Sequence, residues 1–102
     1  MMLYGLPQKT IQKTNGVFSE YIEIDEAILY GSRAKGNHTS GSDIDLTLKG
    51  KKLSLFLLNA ICNDLDDLLL PYTFDLSIYD HISNPDLIEH IKRVGLSFYK
   101  KA

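Results

Sequence analysis

Residues 29–48 read LYGSRAKGNHTSGSDIDLTL, and this stretch decides the fold. The apolar run 27–30, at its start, predicts a buried strand that stops at a glycine. Residues 31–42 are rich in Gly, Ser, Asn and Lys and predict a loop. Residues 43–48 alternate polar and apolar side chains, which predicts a second strand with one buried face. The polar side chains on its other face are Asp43, Asp45 and Thr47.

Three helices are predicted around this unit. Residues 8–21 place apolar side chains at helical spacing and predict an amphipathic helix. Residues 53–70 are Leu-rich and predict a long helix. A last helix is predicted to begin after a cap at Ser83 or Asn84 and to end at Gly95, with charges that suit the helix dipole.

A third strand is predicted over residues 72–79, which again alternate polar and apolar side chains. Asp75 falls on its polar side. The order helix, strand, loop, strand, helix, strand, helix predicts an α+β fold. We expect a small mixed β-sheet of three or more strands with helices packed on one face, its apolar face. Residues 1–102 are expected to form a single domain.

The composition excludes several classes of protein. The chain has 102 residues and a formal net charge of −2, so binding to nucleic acid through bulk positive charge is not expected. No apolar stretch reaches the length of a membrane span, and no membrane association is expected. A single cysteine, Cys62, cannot form an internal disulfide and implies no oxidising compartment. We therefore expect a cytoplasmic, soluble domain.

The two alternating strands predict a metal site. If they pair in one sheet whose apolar face is covered, then Asp43, Asp45 and Asp75 lie together on the opposite face. Carboxylates brought together repel one another unless a cation or solvent screens their charge. Hard oxygen ligands favour Mg²⁺ or Mn²⁺, and such ions serve displacement at phosphoryl groups. The alternative is a solvated polar face without a metal.

The loop between the strands is a candidate phosphate-binding segment. Gly31 allows close approach of the backbone, and Ser32 adds a hydroxyl donor. Arg33 and Lys35 add positive charge suited to phosphate oxygens. A phosphate-binding loop and a metal site separated by ten residues together suit a metal-bound nucleoside triphosphate. The alternative for Gly31 and Ser32 is a plain turn.

Gly31-Ser32, ten residues and Asp43-Ile44-Asp45 together resemble the signature of the DNA polymerase β-type nucleotidyltransferase superfamily. Residues 29–48 are especially similar to its minimal nucleotidyltransferases. The resemblance implies that Gly31 and Ser32 hold the triphosphate of ATP. It implies that Asp43, Asp45 and Asp75 are catalytic and bind Mg²⁺ or Mn²⁺. The implied reaction transfers AMP from ATP to an acceptor hydroxyl.

The resemblance also implies a partner. Members of this size commonly act beside an all-helical HEPN-domain protein, as an antitoxin that AMPylates a tyrosine of a HEPN ribonuclease toxin. One alternative is an antibiotic-type, small-molecule nucleotidyltransferase that needs a helical substrate-binding partner. Another is a non-catalytic module that neutralises its partner by contact alone.

The predicted helix over Leu53–Leu70 carries more apolar side chains than one contact with a sheet can cover. The surplus predicts an interface with a partner or a second copy of the chain. The alternative is a helix buried between the sheet and a neighbouring helix. His81 and His90 show no metal-ligand spacing and carry no functional prediction.

Overall fold

The structure is a computed structural model that describes residues 2–102. Its strands are β1 (Met2–Leu3), β2 (Leu6–Pro7), β3 (Glu26–Tyr30), β4 (Ile44–Lys49), β5 (Phe74–Ile78) and β6 (Leu96–Lys100). Its helices are α1 (Gln8–Ser19), α2 (Gly31–Lys35), α3 (Leu55–Asp66) and α4 (Pro85–Val94), with a 3-10 turn at Tyr79–His81. Among residues 2–102, no helix combines the length and the apolar character needed to cross a membrane.

The main sheet has four strands in the order β5-β4-β3-β6. β3 runs antiparallel to both β4 and β6, whereas β4 and β5 are parallel and joined through α3. The predicted mixed α+β fold is therefore confirmed. Two parts of the sheet architecture were not predicted: the edge strand β6 and the short β1–β2 hairpin, which turns through Tyr4 and Gly5.

The apolar side chains of β3 and β4 form the centre of the core. Ala27 lies opposite Leu48, and Leu29 lies opposite Leu46, and all four are fully buried. α1 and α3 cover this face, and their buried contributions to the core are Val17, Phe18, Ile61 and Leu65. The two helices and the sheet thus form the layered arrangement that the alternation predicts.

α4 lies on the opposite face of the sheet, beside the carboxylates. Its Ile91 is buried and lines a cavity of about 210 Å³ together with Ile28 and Lys49. Ile28 and Lys49 belong to the side of β3 and β4 that also carries Asp45. The helices therefore do not all share the apolar face. Ile28 is an apolar side chain on a face that is otherwise polar, and the buried side of α4 packs over it.

The helices differ from the predictions in three places, the first being α1, which ends at Ser19 and not at residue 21. Residues 31–42 do not form a loop throughout, because α2 occupies the first five of them. The predicted Leu53–Leu70 helix is shorter, because Ser54 caps α3 by accepting the N–H of Leu57 and the helix ends at Asp66. The predicted cap of α4 at Asn84 is confirmed, since its side chain accepts the N–H of Asp86.

Part of the surplus apolar surface of the Leu-rich segment is exposed. Leu55 and Phe56, at the start of α3, are 64% and 82% exposed. Leu69, three residues beyond the end of the helix, is 89% exposed and has a left-handed backbone with φ of 55°. The predicted interface through this segment stays a prediction.

Candidate active site

Sheet pairing brings two of the three predicted carboxylates side by side. Asp45 of β4 and Asp75 of β5 are register partners on parallel strands, so their side chains project from the same face. Neighbouring strands lie about 4.8 Å apart, which places the two carboxylates within reach of a shared ligand. Asp75 is exposed and Asp45 is half-buried, so the pair is open to solvent on the Asp75 side.

The environment of Asp45 opposes its ionisation. Burial raises the pKa of this carboxyl from 3.8 to about 6, and the negative charges of Asp75 and Asp43 add to the effect. The positive charge of Arg33 acts in the opposite direction. A carboxylate held beside like charges at neutral pH gains most from a bound cation.

Asp43 lies one residue before β4 and is exposed, at the edge of this pair. Across residues 2–102, no three side chains of His, Cys, Asp or Glu converge into a ready-made metal site. The arrangement is thus a close pair with a third carboxylate nearby. Its donors are all oxygens and its charges repel, which fits Mg²⁺ or Mn²⁺ with ligands completed by a bound phosphate.

Gly31 begins α2 directly after β3 and lies against Asp45. Its backbone φ is 75°, a region that favours glycine. A Cβ at this position would overlap the Asp45 carboxylate oxygen Oδ2. The glycine therefore serves close packing of the turn against the carboxylate, in addition to the chain reversal predicted for it.

Ser32 and Lys35 keep accessible positions in the short helix α2. Ser32 is half-buried, and its carbonyl oxygen accepts the N–H groups of Gly36 and Asn37 at 2.9 and 3.1 Å. Lys35 is exposed on the last turn of the helix. Their role in binding phosphate stays a prediction.

Arg33 has a different role from the predicted phosphate contact. Its side chain is only 2% exposed. The guanidinium donates to the carbonyl oxygen of Tyr4 at 2.9 Å and to that of Ser42 at 2.9 and 3.2 Å. Its Cζ lies 5.4 Å from the centre of the Tyr72 ring. Arg33 thus ties the N-terminal hairpin, the loop before β4 and the segment before β5 together under the site.

Tyr30 and His90, for which the sequence predicts no functional role, also line the turn. Tyr30, the register partner of Asp45, is buried, and burial raises its pKa above 10.0. His90 of α4 accepts the backbone N–H of Gly31 through Nε2 at 3.2 Å. Only tertiary packing joins these positions, because His90 lies 59 residues from Gly31. No spacing signal in the sequence could identify it.

The carboxylate pair lies apart from a cavity at the other end of the sheet. A cavity of about 380 Å³ lies at the opposite end of the sheet and is lined by Ile22, Glu23, Asp25, Lys51, Lys52 and Lys101. We assign the site to the carboxylates, because chemistry at a phosphoryl group requires the oxygen ligands and the close glycine backbone found there.

A mixed sheet with a glycine-led turn against a carboxylate pair defines a nucleotidyltransferase core. The chain belongs to the family described as Polymerase beta, Nucleotidyltransferase, whose profile matches residues 12–102. The predicted resemblance to this family is confirmed. No curated protein matches the chain.

Solved structures share the fold at low sequence identity. A chain in the crystal structure of a toxin–antitoxin with AMP-PNP matches with a TM-score of 0.70 and 20% identity, over 94% of this chain and 75% of that one. A chain in the structure of tri-AMPylated Shewanella oneidensis HEPN toxin with MNT antitoxin gives 0.67 and 17%, over 92% and 72%. One in the toxin–antitoxin MntA-HepT gives 0.67 and 18%, over 93% and 74%. At these identities the likeness concerns the fold.

Proposed function

We propose that the protein transfers AMP from ATP to a protein hydroxyl in a reaction that requires Mg²⁺ or Mn²⁺. The observation that carries the proposal is the pair of register-matched carboxylates, Asp45 and Asp75, beside the close-packed Gly31. Paired carboxylates next to a phosphate-binding turn are what nucleotidyl transfer needs, because the reaction is mostly positioning and charge neutralisation.

The roles follow from position. Asp45, Asp75 and the nearby Asp43 would hold the metal ion, which when bound offsets negative charge on the transferred phosphoryl group. Gly31 and Ser32 would hold the triphosphate, and the exposed Lys35 would add a contact to its oxygens. The acceptor oxygen bonds to the α-phosphorus as the bond to pyrophosphate breaks. We assign the hydroxyl proton to the exposed carboxylate of Asp75.

The proposed acceptor is a tyrosine of an all-helical HEPN-domain toxin, which makes this protein an antitoxin of the cytoplasm. Support comes from the similar structures, which include one described as a tri-AMPylated HEPN toxin with its antitoxin and one with AMP-PNP. A partner would then supply the acceptor from its own surface.

A label-transfer experiment tests the proposal. The protein is mixed with α-³²P-ATP and Mg²⁺, with and without a candidate HEPN-domain partner, and resolved on a denaturing gel. We expect a labelled partner band that is lost with Asp45→Asn and retained with Asp80→Asn. Asp80 is a matched control because it is an exposed aspartate in the turn after β5.

Other outcomes would contradict parts of the proposal. Release of pyrophosphate without a labelled protein would indicate a small-molecule acceptor. Neutralisation of the partner by Asp45→Asn, with neither label nor pyrophosphate from the unmodified protein, would indicate a non-catalytic binding module.

A further inference from the structure

The side chain of His90, on α4, contacts the turn between β3 and α2. Its Nε2 accepts the N–H of Gly31 at 3.2 Å, and its ring meets the Tyr30 ring edge-on with 6.1 Å between centroids. Accepting this bond requires a neutral imidazole that carries its proton on Nδ1. Two different contacts therefore fix His90 against the two residues that join β3 to α2.

The Gly31 amide is a sensitive point in the site. The same residue has the left-handed φ of 75° and lies against the Asp45 carboxylate without room for a Cβ. A rotation of the Tyr30–Gly31 peptide would therefore move the glycine relative to Asp45 and change the direction of the following Ser32. The acceptor on His90 opposes that rotation, because the N–H would lose its partner in a half-buried place.

We propose that His90 is a positioning residue for nucleotide binding. It holds the Gly31 amide so that the turn stays packed against Asp45 and the Ser32 hydroxyl and N–H face the phosphate. This inference rests on the proposed nucleotidyl transfer at the same site. A purely structural alternative is that His90 only docks α4 on the sheet, in which case its acceptor nitrogen would be irrelevant to nucleotide affinity.

Two substitutions separate the acceptor from the ring. His90→Gln keeps an oxygen acceptor near the position of Nε2 but loses the aromatic contact with Tyr30. His90→Phe keeps the aromatic contact but has no acceptor. Glu89→Gln is the control on the same helix, since Glu89 is exposed and pairs with the exposed Arg93. Calorimetry with a non-hydrolysable ATP analogue and Mg²⁺ measures affinity, and thermal unfolding checks the fold of each variant.

We expect His90→Phe to weaken nucleotide binding about fivefold, the size expected for one hydrogen bond. His90→Gln should bind within about twofold of the unmodified protein, even if it is the less stable of the two variants. Amide hydrogen exchange without nucleotide provides a second readout: the Gly31 N–H should exchange faster in His90→Phe and stay protected in His90→Gln.

Equal nucleotide affinity in His90→Phe and the unmodified protein would overturn the inference, as would equal protection of the Gly31 amide. Failure of the proposed function gives a different result, because the unmodified protein would then bind no nucleotide while the amide-exchange difference could still be measured. A loss of affinity in His90→Gln together with unchanged affinity in His90→Phe would assign the effect to the ring contact and likewise reject the acceptor role.

Discussion

Gly31 and Asp45 are packed so closely that a Cβ on Gly31 would overlap Oδ2 of Asp45 and would force this carboxylate to shift. The two residues come from different elements, the start of α2 and the strand β4. Their contact joins the predicted phosphate-binding turn directly to the predicted metal ligands, so a change in one must displace the other.

Gly31→Ala should therefore lower both stability and activity. Alanine is strained at the φ of 75° and also overlaps Asp45, so we expect a loss of about 2–4 kcal/mol in the free energy of unfolding. Gly36→Ala is the matched control, because Gly36 has a φ of 85° but open space around its Cβ position. It should cost about 1 kcal/mol and leave nucleotidyl transfer unchanged. Urea denaturation and the label-transfer assay measure the two effects, and equal losses would contradict the packing argument.

The pKa of Asp45 predicts a pH-dependent stability. Burial and the charges of Asp75 and Asp43 raise this pKa from 3.8 to about 6, so the folded state binds a proton that the unfolded chain releases between these values. Stability from this group is therefore present below about pH 4 and lost as pH rises through about 6.

Asp45→Asn should accordingly raise the melting temperature at pH 7.5 in the absence of divalent ions. Solvent screening limits the gain to about 1 kcal/mol, or about 4 °C for a chain of this size. The difference should shrink toward pH 4, and Mg²⁺ should stabilise the unmodified protein more than the variant. Calorimetric scans at pH 7.5 and at pH 4 measure the melting temperatures of both proteins. A lower melting temperature for Asp45→Asn than for the unmodified protein at pH 7.5 would refute the prediction.

Arg33 is predicted to matter for stability. Arg33→Met keeps much of the volume but leaves the carbonyl oxygens of Tyr4 and Ser42 without their donor, at a cost of about 2–4 kcal/mol. Arg93→Met removes an equally short but exposed ion pair with Glu89 and should cost less than about 0.5 kcal/mol. Chemical denaturation of both variants compares them. Similar midpoints would show that the buried guanidinium adds nothing.

Leu69 offers a stabilising substitution. Its φ of 55° is unfavourable for a side chain with a Cβ, and its side chain is 89% exposed, so little burial is lost on removal. Leu69→Gly should raise the free energy of unfolding by about 0.5–1 kcal/mol relative to Leu69→Ala, which keeps the strain. Denaturation midpoints measure the difference. A glycine variant less stable than the alanine variant would show that the backbone there carries no strain.

The alternation of side chains predicted much of the site. Side chains alternate between the two faces of a strand, so the sequence alone assigns Asp45 and Asp75 to the polar face of their strands. The parallel register that makes them direct neighbours depends on tertiary pairing through α3, and sequence periodicity does not encode it. The chemistry of a single side chain was less informative. Arg33 has a charge suited to phosphate, but the side chain is buried and donates its hydrogen bonds to backbone carbonyl oxygens.

The remaining differences have similar causes. The short helix α2 was not predicted, because its segment has a composition typical of loops and five residues are too few to show helical periodicity. The edge strand β6 follows Gly95 closely and shows no clean alternation of buried side chains, since only Phe98 is buried. His90 contacts Gly31 because α4 folds back over the carboxylate face, a placement that no local pattern determines.

The parallel crossover from β4 to β5 also sets an order of assembly. The antiparallel pairing of β3 and β4, closed by the connection that contains Gly31, brings this glycine to Asp45. Asp45 and Asp75 meet only after the longer intervening segment with α3 has packed. Loop-closure entropy favours the shorter connection first. The predicted phosphate-binding turn therefore forms first, from residues that lie close together in the sequence. The carboxylates of Asp45 and Asp75, which repel each other, are brought together in the slower, long-range step. We expect repulsion between these carboxylates to slow the last stage of folding, and a divalent ion that binds them as proposed should make this stage faster.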